Sequence, residues 1–269
     1  MSTVRRHAVG PLVRDWRVRR RRSQLDLAYD VGVSPRHLSF VETGRSKPSP
    51  ELLLLLADRL EVPLRERNVL LVTAGYAPHY AETALDASSM VRIRGALQRL
   101  LDTHDPYPGV VIDRAWNVVL ANDAASLLTA AIPDHLLGPP LNVFRACLHP
   151  DGLARATLNF PEWSNYLVGQ LNRSALLSDD PALKRLADEV GSYPNVEELR
   201  EQRREAAFAE PELLVPLRID FGGVELSLFT TLTTFGTPQD ITLSEMAVEL
   251  FFPADERTDS WLRAPETMT

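Results

Sequence analysis

The chain has one cysteine, Cys147, and two lysines, Lys47 and Lys184. A single thiol excludes an intrachain disulfide and a thiolate-rich zinc site, and the expected compartment is the cytoplasm. The other 27 basic residues are arginines, a bias read as the mark of a GC-rich genome rather than of chemistry. No apolar run approaches the ~18–20 residues that span a bilayer; the longest, Leu52 to Ala57, has six. The opening MSTVRRHAVG has charge with no apolar core behind it, so no secretory signal is expected. Catalytic signatures are missing too. The histidines His7, His37, His79, His104, His135 and His149 form no H-E-x-x-H, and there is no G-x-S-x-G, P-loop or G-x-G-x-x-G. His149-Pro150-Asp151 reads as a turn before a capped helix. The expectation is a non-enzymatic protein with no catalytic residue, no metal and no membrane contact.

At 269 residues, 45% of them hydrophobic, the chain is comfortable as two soluble globular domains. Its charge divides unevenly. Residues 1–76 hold 14 Arg/Lys against 8 Asp/Glu, whereas residues 77–269 hold 15 against 28. A basic first quarter on an acidic remainder suggests that the first part meets a polyanion and the rest does not. A merely solvated charged surface is the alternative.

Val9, Leu12, Val13 and Trp16 lie at i, i+3, i+4, i+7, the stripe of an amphipathic helix that runs into Arg17 and Arg19 to Arg22. The arginine run is either a solvated face or a DNA contact. Ser23 can cap a second helix, Gln24 to Val31, that buries Leu27, Ala28 and Val31 and stops at Gly32. Ser34-Pro35 opens a third, about Pro35 to Thr43, with Leu38 and Val41 inward and Gly44 as its stop. Ser49-Pro50 opens a fourth, with Leu53, Leu56, Ala57 and Leu60 inward, and a fifth covers about Pro63 to Ala74. Five short helices with a tight turn between the second and third make a helix-turn-helix domain.

The stretch SQLDLAYDVGVSPRHLSFVETGRSKPS resembles the repressor-type helix-turn-helix class, that of lambda repressor and Cro. The third helix is then the recognition helix, sized for a major groove about 12 Å wide. Its outward residues are Arg36, His37, Ser39 and Phe40. Arg36 is the first candidate for base reading, because a guanidinium can give two donors to guanine. Ser39 suits a base edge or a phosphate. Phe40 either touches a thymine methyl or packs on the domain, and His37 either reads a base or is a plain surface residue. Ser34 joins the interface candidates at the helix start. The resemblance implies that Gln24 contacts phosphate; Arg45 and Lys47, in the loop after the helix, are further phosphate candidates.

Residues 75–90 have no strong period and contain Gly75 and Pro78, which places a boundary there. Val91, Ala96, Leu97, Leu100 and Leu101 then approximate a helical stripe, either a signal-carrying connector or a helix packed on the second domain. Val110 to Ile112 and Asn117 to Ala121 read as strands around the turn Asp113–Trp116, with Asn122 capping a short helix. A hairpin followed at once by such a helix resembles the opening of a PAS-like domain. Helices are expected over Asn142–Leu148, Leu153–Phe160, Pro161–Leu177, from Pro181, and from Asn195 with Glu198 at the capping-box position. Strands are expected at Leu213–Ile219, Val224–Leu232 and Met246–Phe252, the first two joined by Asp220-Phe221-Gly222-Gly223.

RHLSFVETGRSKPS, AGYAPHY, LLDTHDPYPGVVIDRAWNVVLAN, LHPDGL, NFPEWSNYL, TTFGTPQDITL and ELFFPAD run in order along nearly the whole chain. Together they resemble the MmyB-like transcription regulators. The resemblance implies a multi-domain protein: an all-α, lambda-repressor-like five-helix domain followed by an α+β PAS-like ligand-binding domain with an antiparallel sheet. It also implies a link to antibiotic and secondary metabolism. The expected divisions are 1–76 for DNA binding, 77–103 for linker and connecting helix, 104–256 for ligand binding and 257–269 for a tail. Candidate pocket walls are Trp116, Phe144, Trp163, Tyr166, Leu167, Leu171, Phe229 and Phe235, each of which can equally be plain core. They favour a small, largely apolar ligand such as a fatty acid. His104, Asp105 and Arg145 are candidates for its polar head or for surface ion pairs. Double-stranded DNA is the expected macromolecular partner. A homodimer is expected, because one short helix reads few base pairs and two-fold pairs read half-sites a turn apart. The alternative second domain is a ligand-free module for dimerisation or protein partners.

Overall fold

A computed structural model of the chain describes residues 9–130, 132–178, 180–200 and 214–264. The chain forms two compact units: residues up to Ala84 together with Gly236–Ser244, and Leu85–Phe235 together with the residues from Glu245 onward. The division at 84/85 falls inside the stretch expected as linker. The inclusion of 236–244 in the first unit has no counterpart in the expected sequential division.

The first unit is helical: α1 (Val9–Arg19), α2 (Gln24–Asp30), α3 (Pro35–Glu42), α4 (Pro50–Arg59) and α5 (Leu64–Thr73). Each of the three middle starts is capped as the sequence suggests. Ser23, Ser34 and Ser49 side chains accept from the amides of Asp26, His37 and Leu52, satisfying one orphan N–H each. Gly32 and Gly44 end α2 and α3 at φ of 69° and 71°, a region a β-carbon disfavours. Leu27, Leu38, Leu53, Leu56 and Leu60 fill the core.

α1 lies directly against α3. A β-carbon on Gly10 would stand 2.3 Å from the Val41 carbonyl oxygen, so only glycine permits that approach. The contact is locked by Glu42, which is 4% exposed. Its carboxylate accepts two bonds from Arg17 of α1, at 2.6 and 2.9 Å, and one from Gln24 of α2, at 2.9 Å. One buried charge thus joins the first three helices. The arginine run that follows braces the same unit: Arg19 pairs with Asp15, Arg20 donates to the carbonyls of Leu60 and Glu61, and Arg22 pairs with Asp30.

The second unit begins with α6 (Val91–His104), whose Leu97 and Leu101 are buried and which packs on a hairpin of β1 (Gly109–Ile112) and β2 (Val118–Ala121). It is a packed helix of this unit. Short helices α7 (Ala125–Thr129), α8 (Asp134–Leu137) and α9 (Val143–Leu148) follow, then α10 (Phe160–Ser178), α11 (Pro181–Gly191) and α12 (Pro194–Glu197). Strands β3 (Leu217–Phe221), β4 (Val224–Thr234) and β5 (Ala247–Pro253) complete an antiparallel sheet in the order β2-β1-β5-β4-β3. The resemblance implied an antiparallel sheet in this domain, and the sheet is antiparallel throughout.

Three expectations change. Residues 153–159 form only a turn of 3₁₀ helix at Leu153–Arg155, because the Leu158 amide is taken by the Arg218 carbonyl of β3. Asn195 does not cap a helix; α12 starts at Pro194, and the Asn195 amide donates to the Leu148 carbonyl. The stretch expected as tail starts as a helix, Glu256–Leu262, capped by Asp255; its Thr258 hydroxyl accepts from the Ser227 amide of β4. Residue 213, one end of an expected strand, lies outside the described residues; the strand begins at Leu217.

Glu42→Ala should leave the Arg17 guanidinium largely buried without its partner. We expect a loss of about 3 kcal/mol from the helical unit, read as a lower urea midpoint of its unfolding transition. A loss below ~1 kcal/mol would show that α1, α2 and α3 do not depend on this charge.

Candidate DNA-reading surface and ligand cavity

α3 presents a compact cationic face. Arg36 and Arg45 are exposed, and both guanidiniums sit over the Phe40 ring, at 5.4 and 5.9 Å from its centroid. Phe40 is half-buried and acts as the platform that positions both cations. Lys47 is likewise exposed and lies 4.3 Å from the Tyr76 ring centroid, while the Tyr76 hydroxyl donates to the Pro48 carbonyl. Among the described residues none of these three cations has a carboxylate partner, unlike Arg17, Arg19 and Arg22. They are exposed charges that a polyanion could meet on and just after α3.

The other candidates divide. Ser34 accepts the His37 amide at 3.1 Å and so serves first as a helix cap. His37 and Ser39 are half-buried on α3. Gln24 donates to Glu42, which ties it to the interior network and leaves its carbonyl oxygen and one N–H for other contacts.

In the second unit the structure forms a partly open cavity of about 250 Å³ between the β1–β2–β5 part of the sheet and α7 and α9. Its walls are mostly small or branched apolar side chains, among them Val110, Val118, Ala121, Ala125, Ile132, Val143 and Ala146, with Phe251 at one side. None of the eight expected wall residues lines it. Trp116, Phe144, Trp163, Leu167 and Leu171 are buried in the main core with Tyr166 packed against them; Phe229 stacks on Phe252, and Phe235 is half-buried beyond β4. The physical reason is volume: large rings fill the space they face, and the void remains where alanine and valine are too small to close it. Trp163 keeps one unusual feature, a buried indole N–H with no partner.

The proposed head-group anchors are elsewhere as well. Arg145 makes a two-pronged pair with Glu189, at 2.7 Å on each arm. His104 Nε2 lies 2.7 Å from the Phe251 carbonyl oxygen, and Asp105 accepts from Asn122 at 2.8 Å. The polar residue that does reach the cavity, Glu249 of β5, was not singled out in the sequence. Its neighbours along β5, Val248 and Leu250, give it the alternating signature of a solvent-facing position, but the void behind β1 and β5 takes its side chain instead. Burial raises its carboxyl from the ordinary 4.5 to about 7, although a Thr230 hydrogen bond favours the ionised form. Burial also pushes the Cys147 thiol up to about 12, so that it stays protonated.

Only one described group has the residue types of a metal site. His135, His149 and Asp151 offer ligand atoms within 4.8 Å of one another on the surface near α8 and α9. Within it, the His149 Nδ1 already accepts the Asp151 amide at 3.1 Å.

A carboxyl with a raised folded-state pKa favours folding most below its unfolded value near 4.5, and that advantage disappears as the pH rises through 7. Wild type should therefore lose about 2 kcal/mol relative to Glu249→Gln between pH 5.5 and 8.5. Paired urea titrations across that range check it; parallel pH profiles for the two proteins would contradict the burial of an ionisable Glu249.

The chain matches two domain families. Residues 93–264 match the MmyB-like transcription regulator ligand binding domain, and residues 13–67 match a helix-turn-helix domain. The chain is similar to the transcriptional regulator ClgR of Mycobacterium tuberculosis strains CDC 1551 / Oshkosh and ATCC 25618 / H37Rv. It is 32% identical to each over 96 residues, which is 36% of this chain and 83% of the relative. A structural likeness to the PAS domain of Bordetella pertussis BvgS covers 63% of this chain and 92% of that one, at 21% identity and a TM-score of 0.25. With the ligand-binding domain matched over more than half of its length and a helix-turn-helix before it, the chain belongs to the MmyB-like transcription regulators, which are DNA-binding proteins.

Proposed function

We propose that this regulator reads a specific operator with α3, as a homodimer, and that a small, largely apolar molecule in the 250 Å³ cavity changes its grip on DNA. The observation that carries the reading is the cavity itself: a concave, apolar-walled void with a polar group at its edge is the usual form of a small-molecule site. Its volume lies just under the usual range of about 300–1,000 Å³, which favours a slender ligand such as a short acyl chain. The family's ligand-binding domain supports the same assignment. Arg36 is placed to read guanine, and Arg45 and Lys47 to hold phosphates on either side.

The path of the chain supports a route for the signal. β4 and β5 belong to the second unit, and the residues between them, Gly236–Ser244, belong to the first. There Asp240 accepts the Thr83 hydroxyl at 2.6 Å, Ile241 is 3% exposed, and its amide donates to the Ala81 carbonyl. Residues 79 and 80 are in turn held on α5 by Asn68, whose side chain bonds three of their backbone groups. A shift of β5, which carries Glu249 and Phe251, would pull directly on a segment built into the DNA-binding unit. Such a two-way coupling requires that DNA and ligand each change the other's affinity by the same factor.

Arg36→Ala should weaken operator binding by ~1–3 kcal/mol and relax specificity at one base position. Selection of binding sites from random DNA, followed by anisotropy titrations at fixed salt, measures both; intact operator affinity would assign base reading to another residue. For the regulatory half, the purified chain should change its operator affinity at least fivefold after its bound small molecules are removed by hydrophobic adsorption. Returning the solvent extract should restore it, and the paired substitutions Thr83→Val and Asp240→Ala should blunt the response while leaving α3 untouched. Operator affinity indifferent to extraction, together with an extract free of any bound molecule, would instead favour a ligand-free module for dimerisation or protein partners.

A further inference from the structure

The polar groups around the cavity are almost all engaged. The Asn122 side chain makes five bonds: its oxygen accepts from the amides of Gly109 and Ala125, and its nitrogen donates to Leu101, Tyr107 and Asp105 oxygens. Ser126 and Thr129 hydroxyls donate to carbonyls of their own turn, those of Asp123 and Ser126, at 2.6 and 3.0 Å. Cys147 presents a protonated thiol, a weak donor. Glu249 is different. It is 7% exposed, it lines the cavity, and its Oε2 has no hydrogen-bond partner. A buried carboxyl oxygen left unanswered costs ~1–3 kcal/mol or more, and natural folds leave few such atoms without a reason.

We propose that Glu249 is the polar anchor of the ligand site, and that the ligand of this protein pairs an apolar body with a hydrogen-bond donor, a hydroxyl or an amine, directed at Oε2. The inference rests on the reading of the cavity as a ligand site. An N–H or O–H donor completes the carboxyl's hydrogen bonding in a medium of low dielectric, where bonds to a charged acceptor are strongest. An ionised carboxylate head offers no donor and brings a second negative charge beside Glu249, so it is disfavoured. A fatty-acyl chain suits the walls of the cavity, but its ionised head does not suit this edge.

Calorimetric titration of the full chain at pH 8 with octan-1-ol, octylamine and octanoic acid tests the proposal. Octan-1-ol and octylamine should bind wild type at least tenfold more tightly than octanoic acid. In Glu249→Gln that preference should shrink below threefold, because the amide N–H can serve a carboxylate. In Glu249→Leu the alcohol should lose at least tenfold, and Leu128→Trp, which fills the cavity, should abolish binding of all three. Circular dichroism shows that each variant is folded. Octanoic acid binding as tightly as octan-1-ol, or a preference that Glu249→Gln leaves unchanged, overturns the anchor while leaving the cavity as a ligand site. If no probe binds wild type, or if Leu128→Trp binds as wild type does, the anchor falls together with the cavity reading.

Discussion

A carboxylate taken out of water must be met by donors, and this protein buries two glutamates with opposite outcomes. Glu42 is met in full: Arg17 and Gln24 surround it, and the three helices that carry these residues are held in one arrangement. Glu249 is met in part, by Thr230, and its Oε2 opens on a void. The same physical demand yields a joined set of helices in the first unit and, in the second, a carboxyl oxygen left unanswered at the edge of an apolar cavity. Everything around α3 follows from the first outcome. With α1 pressed against its backbone through Gly10 and its carboxylate locked, α3 holds Arg36 and Phe40 in one place, with Arg45 just after it over the same ring.

The division of charge acquires a structural meaning. The helical unit contains many arginines, but most of those near its N-terminus are consumed internally, capping α4 or pairing with Asp15, Asp30 and Glu42. Three exposed cations with no carboxylate partner among the described residues, Arg36, Arg45 and Lys47, cluster about Phe40 and Tyr76, on and just after α3. Net charge points to the unit that meets a polyanion, and the pairing pattern sets much of the Arg19–Arg22 run apart from the cations around α3. A count of basic residues alone would have assigned the Arg19–Arg22 run and the α3 loop equal weight.

Local rules account for what was legible in the sequence. The caps Ser23, Ser34 and Ser49, the stops Gly32 and Gly44, and the hairpin at Gly222-Gly223 act within a few residues of themselves, so their elements lie where the sequence puts them. What was not legible depends on distant partners. Residues 153–159 have a helical composition, yet β3 takes the Leu158 amide and donates to the Ala156 carbonyl. The cavity was least visible. Aromatic residues such as Trp116, Trp163 and Phe144 look like ligand walls and prove to be core, whereas the walls are made by alanines and valines that look unremarkable. A cavity is defined by what fails to fill it, and that depends on the partners across the sheet. Likewise nothing in GTPQDITL, read alone, reveals that it belongs with the helical unit although it lies between two strands of the sheet.

The central claim is that Glu249 Oε2 awaits a donor supplied by a ligand. A crystal structure of the full chain grown with octan-1-ol tests it most directly. The account requires the alcohol inside the cavity with its oxygen within hydrogen-bond distance, about 2.5–3.0 Å, of Glu249 Oε2. An alcohol bound elsewhere, or a cavity closed by its own side chains with Glu249 turned to solvent, would contradict it.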